Sequence, residues 1–382
     1  MSTDTVTEEP GGPEAPIVRP VVTSLRGKRL PSFVPAVIAV AALVLSLPVL
    51  LLTGFSIVPW LVVAWVLFLP IYAAAAWLVE GGEQARDKFW TALIYSAFAI
   101  AVVPLLWVSW TVLSTGLPGL LDPGFLNNSM TYATGLTDQD AAAGKGPVLG
   151  GIAHALLGSV LITLAATVIS VPIGLLTSIY LVEYSQGGLL SRAITFFVDV
   201  MTGIPSIVAG LFGAALLLQL VGPQDNLMGF TAAVALSVLM IPVVVRSTVE
   251  MLRVVPNELR EASYALGVRK WRTIMKVVIP TAISGIASGV TLAIARVIGE
   301  TAPILVTAGV AVGINANLFK DWMMTLPVFI YRQIFFPTAP SAPGPSFERA
   351  WGAALVLIIL VMLLNLLARV IAKAFAPKTS GR

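Results

Sequence analysis

The chain has 382 residues, 57% of them hydrophobic and only 11% charged, against roughly 25% charged in an ordinary soluble domain, so most of it belongs in lipid. The absence of cysteine excludes a disulfide framework and a thiolate metal site, and one histidine with 19 dispersed acidic residues is poor material for a zinc or di-metal centre. A net charge of +4 gives no support to nucleic-acid binding.

Residues 1–32 are rich in Pro, Gly and Glu and turn basic at Arg26, Lys28 and Arg29; this reads as a solvated, disordered cytoplasmic tail with too little apolar surface to fold. A signal peptide is the alternative. The apolar run that follows exceeds the usual ~7–15-residue core of such signals and lacks a cleavage pattern, so it is expected to be a retained span. Because about 20 apolar residues cross the hydrocarbon core as a helix, eight runs qualify: 34–56, 58–79, 90–113, 151–182, 203–221, 230–252, 282–312 and 351–374. Of the 23 Lys and Arg residues, seventeen fall on the side of the N-terminus, four (Lys145, Lys320, Arg332 and Arg349) on the other side, and two inside spans. Basic residues accumulate on the cytoplasmic side, so both termini are expected there.

Two loops on the outer side, 114–150 and 313–350, are long, the second with a Pro-rich stretch from Pro337 to Pro345. They read equally as surfaces for an extracytoplasmic partner or as flexible connectors. Pro172 and Gly174, Gly203-Ile204-Pro205, and Gly299 with Pro303 interrupt three spans; such breaks are tolerated where the freed backbone faces protein or a water-filled cavity. Asp199 marks an amphipathic segment ahead of its span and is given no chemistry. His154 reads as a satisfied interfacial residue, and Glu250 as paired with a loop base.

Two arginines, Arg246 and Arg296, fall inside spans, with Glu300 four residues after Arg296. Ionisable groups at depth cost roughly 2.5–3.5 kcal/mol each on insertion scales, so they usually face a cavity or a partner. A guanidinium fork donates paired hydrogen bonds and stays charged, which suits a tetrahedral oxyanion. The alternatives are snorkelling of Arg246 to the interface and an i,i+4 ion pair of Arg296 with Glu300; the latter is compatible with Glu300 orienting the guanidinium toward an anion. Gly285 and Gly289 form a GxxxG that allows close helix packing.

Residues 252–281 are too charged for a span and carry no break until Pro280. Pro256 at a first turn, Glu258 and Glu261 near the N-terminal end and basic residues toward the other end read as helix. Gly267 allows a turn or a close approach, so two short helices with an elbow are expected. A basic amphipathic helix lying on headgroups is the bland reading. The spacing Glu261-Ala262-Ser263, Gly267, Ile279-Pro280 resembles the EAA loop of ABC importer permeases, departing from it in Ser263, Val277 and Ile279. That resemblance implies a coupling helix over about 257–272, with Glu261, Ala262, Ser263, Gly267 and Pro280 serving contact with an ATPase subunit. No GxxxxGK[ST] occurs in the chain, so nucleotide phosphates cannot be cradled in that way.

Three segments together, GIPSIVAGLF at 203–212, IPVVVRSTVEMLRVVPNELREASYALG at 241–267 and ARVIGETAPIL at 295–305, are similar to the A-type permease subunit of phosphate-specific (Pst) ABC uptake systems over about residues 90–374. The resemblance implies an all-α type I importer transmembrane domain with a six-span core, here 81–382, leaving residues 33–80 as a two-helix extension for which it offers no role. It also implies a C-type partner permease, two copies of an ATP-binding subunit that use ATP and magnesium, and an extracytoplasmic phosphate-binding protein, all assembled on a bacterial plasma membrane. Within the chain it implies no catalytic residue, no bound cofactor, and an anion path through Arg246, Arg296 and Glu300. Three rivals stay open: a sulfate or molybdate importer, an ion-coupled secondary transporter, which should carry inverted repeats that are not evident, and an intramembrane enzyme, for which no nucleophile–base pair is evident.

Overall fold

The computed structural model describes residues 29–52, 56–185, 187–223 and 226–375, so almost all of the expected tail, and Lys378 and Arg382 of the orientation argument, lie outside the described residues. Every regular element among them is a helix. Packing separates the chain into two compact units, residues 1–107 and 108–382.

In the first unit, α1 (Val34–Leu45), α2 (Leu47–Leu52) and α3 (Ile57–Glu80) precede the start of α4 (Gly82–Leu121). The run expected as one span at 34–56 is instead broken at Ser46, whose hydroxyl donates back to the Leu43 carbonyl at 3.0 Å. Pro48 follows with no N–H to give. Twelve residues of α1 reach only about 18 Å, short of the ~30 Å hydrocarbon core. α1 packs on α3, where Trp60 Nε1 donates to the Leu43 carbonyl at 3.1 Å. The buried Glu80 carboxylate accepts at Oε1 from the Leu30 N–H at 2.5 Å and from Lys88 at 2.7 Å, with its other oxygen 2.6 Å from the same ammonium, tying three segments together.

The second unit begins within α4 and continues through α5 (Gly135–Ala142), α6 (Ala153–Ile179), α7 (Leu189–Thr202), α8 (Ser206–Val221), α9 (Gly229–Val254), α10 (Asn257–Ala265), α11 (Lys270–Thr273), α12 (Ile279–Ile298), α13 (Ala302–Leu305), α14 (Leu326–Phe335) and α15 (Gly344–Phe375). Wider π-type turns extend α6 through Tyr180–Tyr184 and join α11 to α12 through Ile274–Val278; the second sits directly before Pro280, which has no amide hydrogen for the helix ladder. Among the described residues, six helices are long and apolar enough to cross a membrane: α3, α4, α6 with its turn, α9, α11–α12 as one, and α15. The pair α7–α8 is apolar enough together but bent by 111°, a broken span or a re-entrant loop. The run expected as one span at 282–312 stops at Ile298, and α13 resumes only after Gly299–Thr301.

α9 is the hub of this unit, packed against α6, α8 and α12. The close approaches need small residues: a side chain on Gly174 of α6 would strike Val244, one on Gly213 of α8 would strike Ala235, and those on Gly285 and Gly289 of α12 would strike Met251 and Ser247. The GxxxG therefore works within the chain, seating α12 on α9, where backbones can meet closely.

The two loops expected on the outer side are folded and locked to each other. α5 begins with a reciprocal cap between Thr134 and Thr137, and the Arg349 guanidinium, fully buried at the start of α15, donates to both Asp138 oxygens at 2.9 and 2.5 Å and to the Leu149 carbonyl at 2.8 Å. Gln333 of α14 lies at its edge at 3.3 Å. Arg349 was counted above only as an outer basic residue; its packing rules out the reading of these loops as flexible connectors. Asp138→Ala should leave that guanidinium unpaired in the interior and cost about 3–5 kcal/mol. The expected result is a lower unfolding midpoint of the purified protein, largely restored when Arg349→Met is combined with Asp138→Leu.

Candidate functional site

The bundle has two chemically distinct ends: one carries α10 and the bend after it, the other the α5–α14 loops. Between them the chain offers arginines whose settings differ sharply.

Arg246 lies on α9 about three turns before α10, half-exposed, and donates from one nitrogen to Asp199 Oδ1 at 3.0 Å. Asp199 comes from α7, an amphipathic helix with Val198 as its buried residue and Phe196 and Phe197 exposed. That amphipathic character was expected; the carboxylate's role was not. The two side chains line a cavity of about 250 Å³ with Ser191, Thr195, Glu250 and Arg253. Glu250 is exposed and, contrary to expectation, makes no ion pair among the described residues.

Arg296 stands in the last turn of α12, exposed. The i,i+4 ion pair with Glu300 does not form, because α12 ends at Ile298 and Glu300 sits in the break before α13, off the helical face that such a pair requires. Glu300 is therefore not the group that orients Arg296 in this structure. The register between the two helices follows from Gly289, which rests on Ser247, the neighbour of Arg246. Arg296 is two turns farther along α12, about 10 Å at 1.5 Å per residue. The two arginines thus sit at successive levels on adjoining helices.

The elbow lies at the end of α9. Pro256 precedes α10, and Gly267, with φ +74°, makes the turn to α11. A Cβ there would meet nothing within 4 Å, so the glycine answers to backbone conformation and not to a close approach. The expected second short helix is not separate; α11 runs through the π-type turn into the span. Glu261, Ala262 and Leu266 are exposed. Ser263 is buried, its hydroxyl 2.8 Å from that of Thr273 across the elbow, so it braces the bend from inside and offers nothing to a partner. Pro280 lies in the first turn of α12.

One anchor at this elbow escaped the sequence reading. Arg260 of α10 donates twice to Glu183 Oε1, at 3.1 and 2.8 Å, and to the Leu252 and Val255 carbonyls at 2.9 and 2.6 Å. α10 is thereby bolted to the ends of both α6 and α9. A lone carboxylate closing an otherwise apolar span was the available signal.

His154, expected to be satisfied, is buried with neither ring nitrogen hydrogen-bonded, edge-on to Phe329 at 5.6 Å. It lies at the opposite end of the bundle from Arg246 and Asp199. Among the described residues no group of three or more His, Asp or Glu could hold a metal ion.

Residues 170–381 match the family model described as binding-protein-dependent transport system inner membrane component. The chain is 46% identical over 289 residues to the phosphate transport system permease protein PstA 1 of Mycobacterium tuberculosis (strain CDC 1551 / Oshkosh), an alignment covering 76% of this chain and 89% of that protein. It is 43% identical to PstA of Mycobacterium leprae (strain TN), over 78% of this chain and 92% of that one, and 37% identical to PstA of Yersinia pestis, over 77% and 92%.

Proposed function

The chain belongs to the PstA family of phosphate transport system permeases, and from that premise we propose that Arg246, Arg296 and Glu300 line the route by which inorganic phosphate crosses it. The observation that carries this reading is the pair of accessible arginines on adjoining helices, in a unit whose Arg349 and Arg260 are held in buried, multiply bonded networks. Arg296 makes no ion pair among the described residues and Arg246 makes a single exposed one, so both guanidinia keep donors available to a ligand. Glu300, in the break beyond α12, keeps the far level of the route from holding the anion tightly.

The chain itself is a multi-pass, non-catalytic membrane subunit of an ABC transporter. In this reading α10 and the elbow, through Glu261, Ala262, Gly267 and the exposed Leu266, receive the closure of an ATPase pair that binds and hydrolyses ATP with magnesium. Ser263 and Pro280 shape the element without touching the partner. Arg260 carries the motion to α6 and α9, and the spans reorient about the arginines. The elbow then faces the cytoplasm together with both termini. The locked α5–α14 surface faces outward, toward an extracytoplasmic phosphate-binding protein, and a C-type permease completes the route. In this reading residues 81–382 are the importer core and residues 33–80 an added membrane extension, although packing groups residues 81–107 with the first unit.

Uptake tests the reading. A strain lacking this chain should lose phosphate uptake and keep sulfate uptake, and the tagged chain should co-purify with an ATPase and a second permease. Loss of sulfate or molybdate uptake in place of phosphate, or ion-driven transport by the chain alone, would overturn it.

A further inference from the structure

Among the four ion pairs of the described residues, the one at the route differs in kind. In Lys88–Glu80, Arg260–Glu183 and Arg349–Asp138 the carboxylate is buried and accepts more than one hydrogen bond. Arg246–Asp199 is a single contact at 3.0 Å, with the two side chains 57% and 54% exposed. An exposed, single-contact pair contributes little to stability, and here it leaves most of the guanidinium fork unused. Glu250, one turn along the same helix, makes no such pair, so α9 takes its counter-charge from another element. That element, α7, is bent 111° from α8, buries little beyond Val198, and can shift without uncovering a core.

We propose that Asp199 is the resident counter-anion of the route, holding Arg246 while the route is empty and yielding it to the passing oxyanion. The inference rests on the reading of Arg246 as a route residue. A tethered carboxylate competes at an effective concentration on the order of millimolar. To displace it, an anion must do more than carry one charge. Phosphate can engage both arms of the fork and reach Arg253 across the same cavity, whereas chloride, spherical and singly charged, cannot. Asp199 thereby excludes the abundant monoanion and, by returning to Arg246, helps phosphate leave.

The test uses the whole transporter in lipid nanodiscs without nucleotide, binding radiolabelled inorganic phosphate in potassium chloride or potassium gluconate of equal ionic strength. Wild type should bind weakly and alike in both salts. Asp199→Asn should bind at least about fivefold tighter in gluconate and lose most of that gain in chloride, and Asp199→Ser should do the same, because charge and not shape is what matters. Arg246→Ala, with or without Asp199→Asn, should bind equally poorly in both salts. If both Asp199 variants match wild type in both salts while Arg246→Ala binds less, Asp199 is a structural partner and the inference fails alone. If Arg246→Ala binds and transports like wild type, the route reading of Arg246 fails and takes this inference with it.

Discussion

Arg296→Ala is expected to lower phosphate uptake about a hundredfold while leaving the transporter assembled. The magnitude follows from removing one partner of a charge-assisted contact, worth about 2–5 kcal/mol, at 1.4 kcal/mol per factor of ten. The separation of uptake from assembly follows from where Arg296 stands: exposed at the end of α12, with no ion pair to Glu300 or to any other carboxylate among the described residues. An arginine that costs insertion energy and makes no ion pair among the described residues adds little to stability, so alanine should not unfold the bundle. Arg349 makes the opposite case, since truncating its partner should unfold the far end. Arg296→Lys separates charge from geometry: an ammonium keeps the field but loses the planar fork, and intermediate uptake is expected. Uptake in a strain without its own copy, read alongside co-purification of the partner subunits, checks all three. Unchanged uptake in Arg296→Ala would remove Arg296 from the route.

The contrast between these arginines also explains how far sequence could see. Apolar runs, prolines and glycines are local signals, and they located the helices, the α7 amphipathic segment and the elbow at Gly267. The same locality misled where composition stayed apolar through a change of direction: 34–56 looks like one span, yet Ser46 with Pro48 divides it, and 282–312 counts as one span by composition although Gly299 and Pro303 already mark the break that ends α12. Ion-pair partners were out of reach altogether. Asp199 is 47 residues from Arg246, Glu183 is 77 from Arg260 and Asp138 is 211 from Arg349; no periodicity relates such positions, and only the packing of α7 on α9, or of one outer loop on the other, brings them together. The one ionic contact suggested by spacing, Arg296 with Glu300, fails because it presumed an unbroken helix. The elbow was legible because its spacing is a feature of a single segment.

That elbow bears the second large effect. Gly267→Val should cut phosphate transport at least about tenfold while ATP hydrolysis by the assembled complex continues. The residue sits at φ +74°, a left-handed conformation that is a genuine outlier for a β-branched side chain and costs on the order of 1–2 kcal/mol. A Cβ there meets no neighbour within 4 Å, so the cost comes first from the backbone conformation. To escape the strain the backbone must rotate, and rotation there swings α10 relative to α11, between the clasp of Ser263 on Thr273 and the bolt of Arg260 on Glu183. α10 would still meet its ATPase but no longer at the angle that moves α6 and α9. Gly267→Asn is the control that isolates the conformation, because asparagine visits the left-handed region at little cost, and it should transport nearly as well as wild type. Measuring transported phosphate per ATP hydrolysed in proteoliposomes decides between them: a ratio that falls for valine and holds for asparagine places the requirement in the backbone of the turn, whereas equal ratios for both would show that the elbow's angle does not carry the coupling.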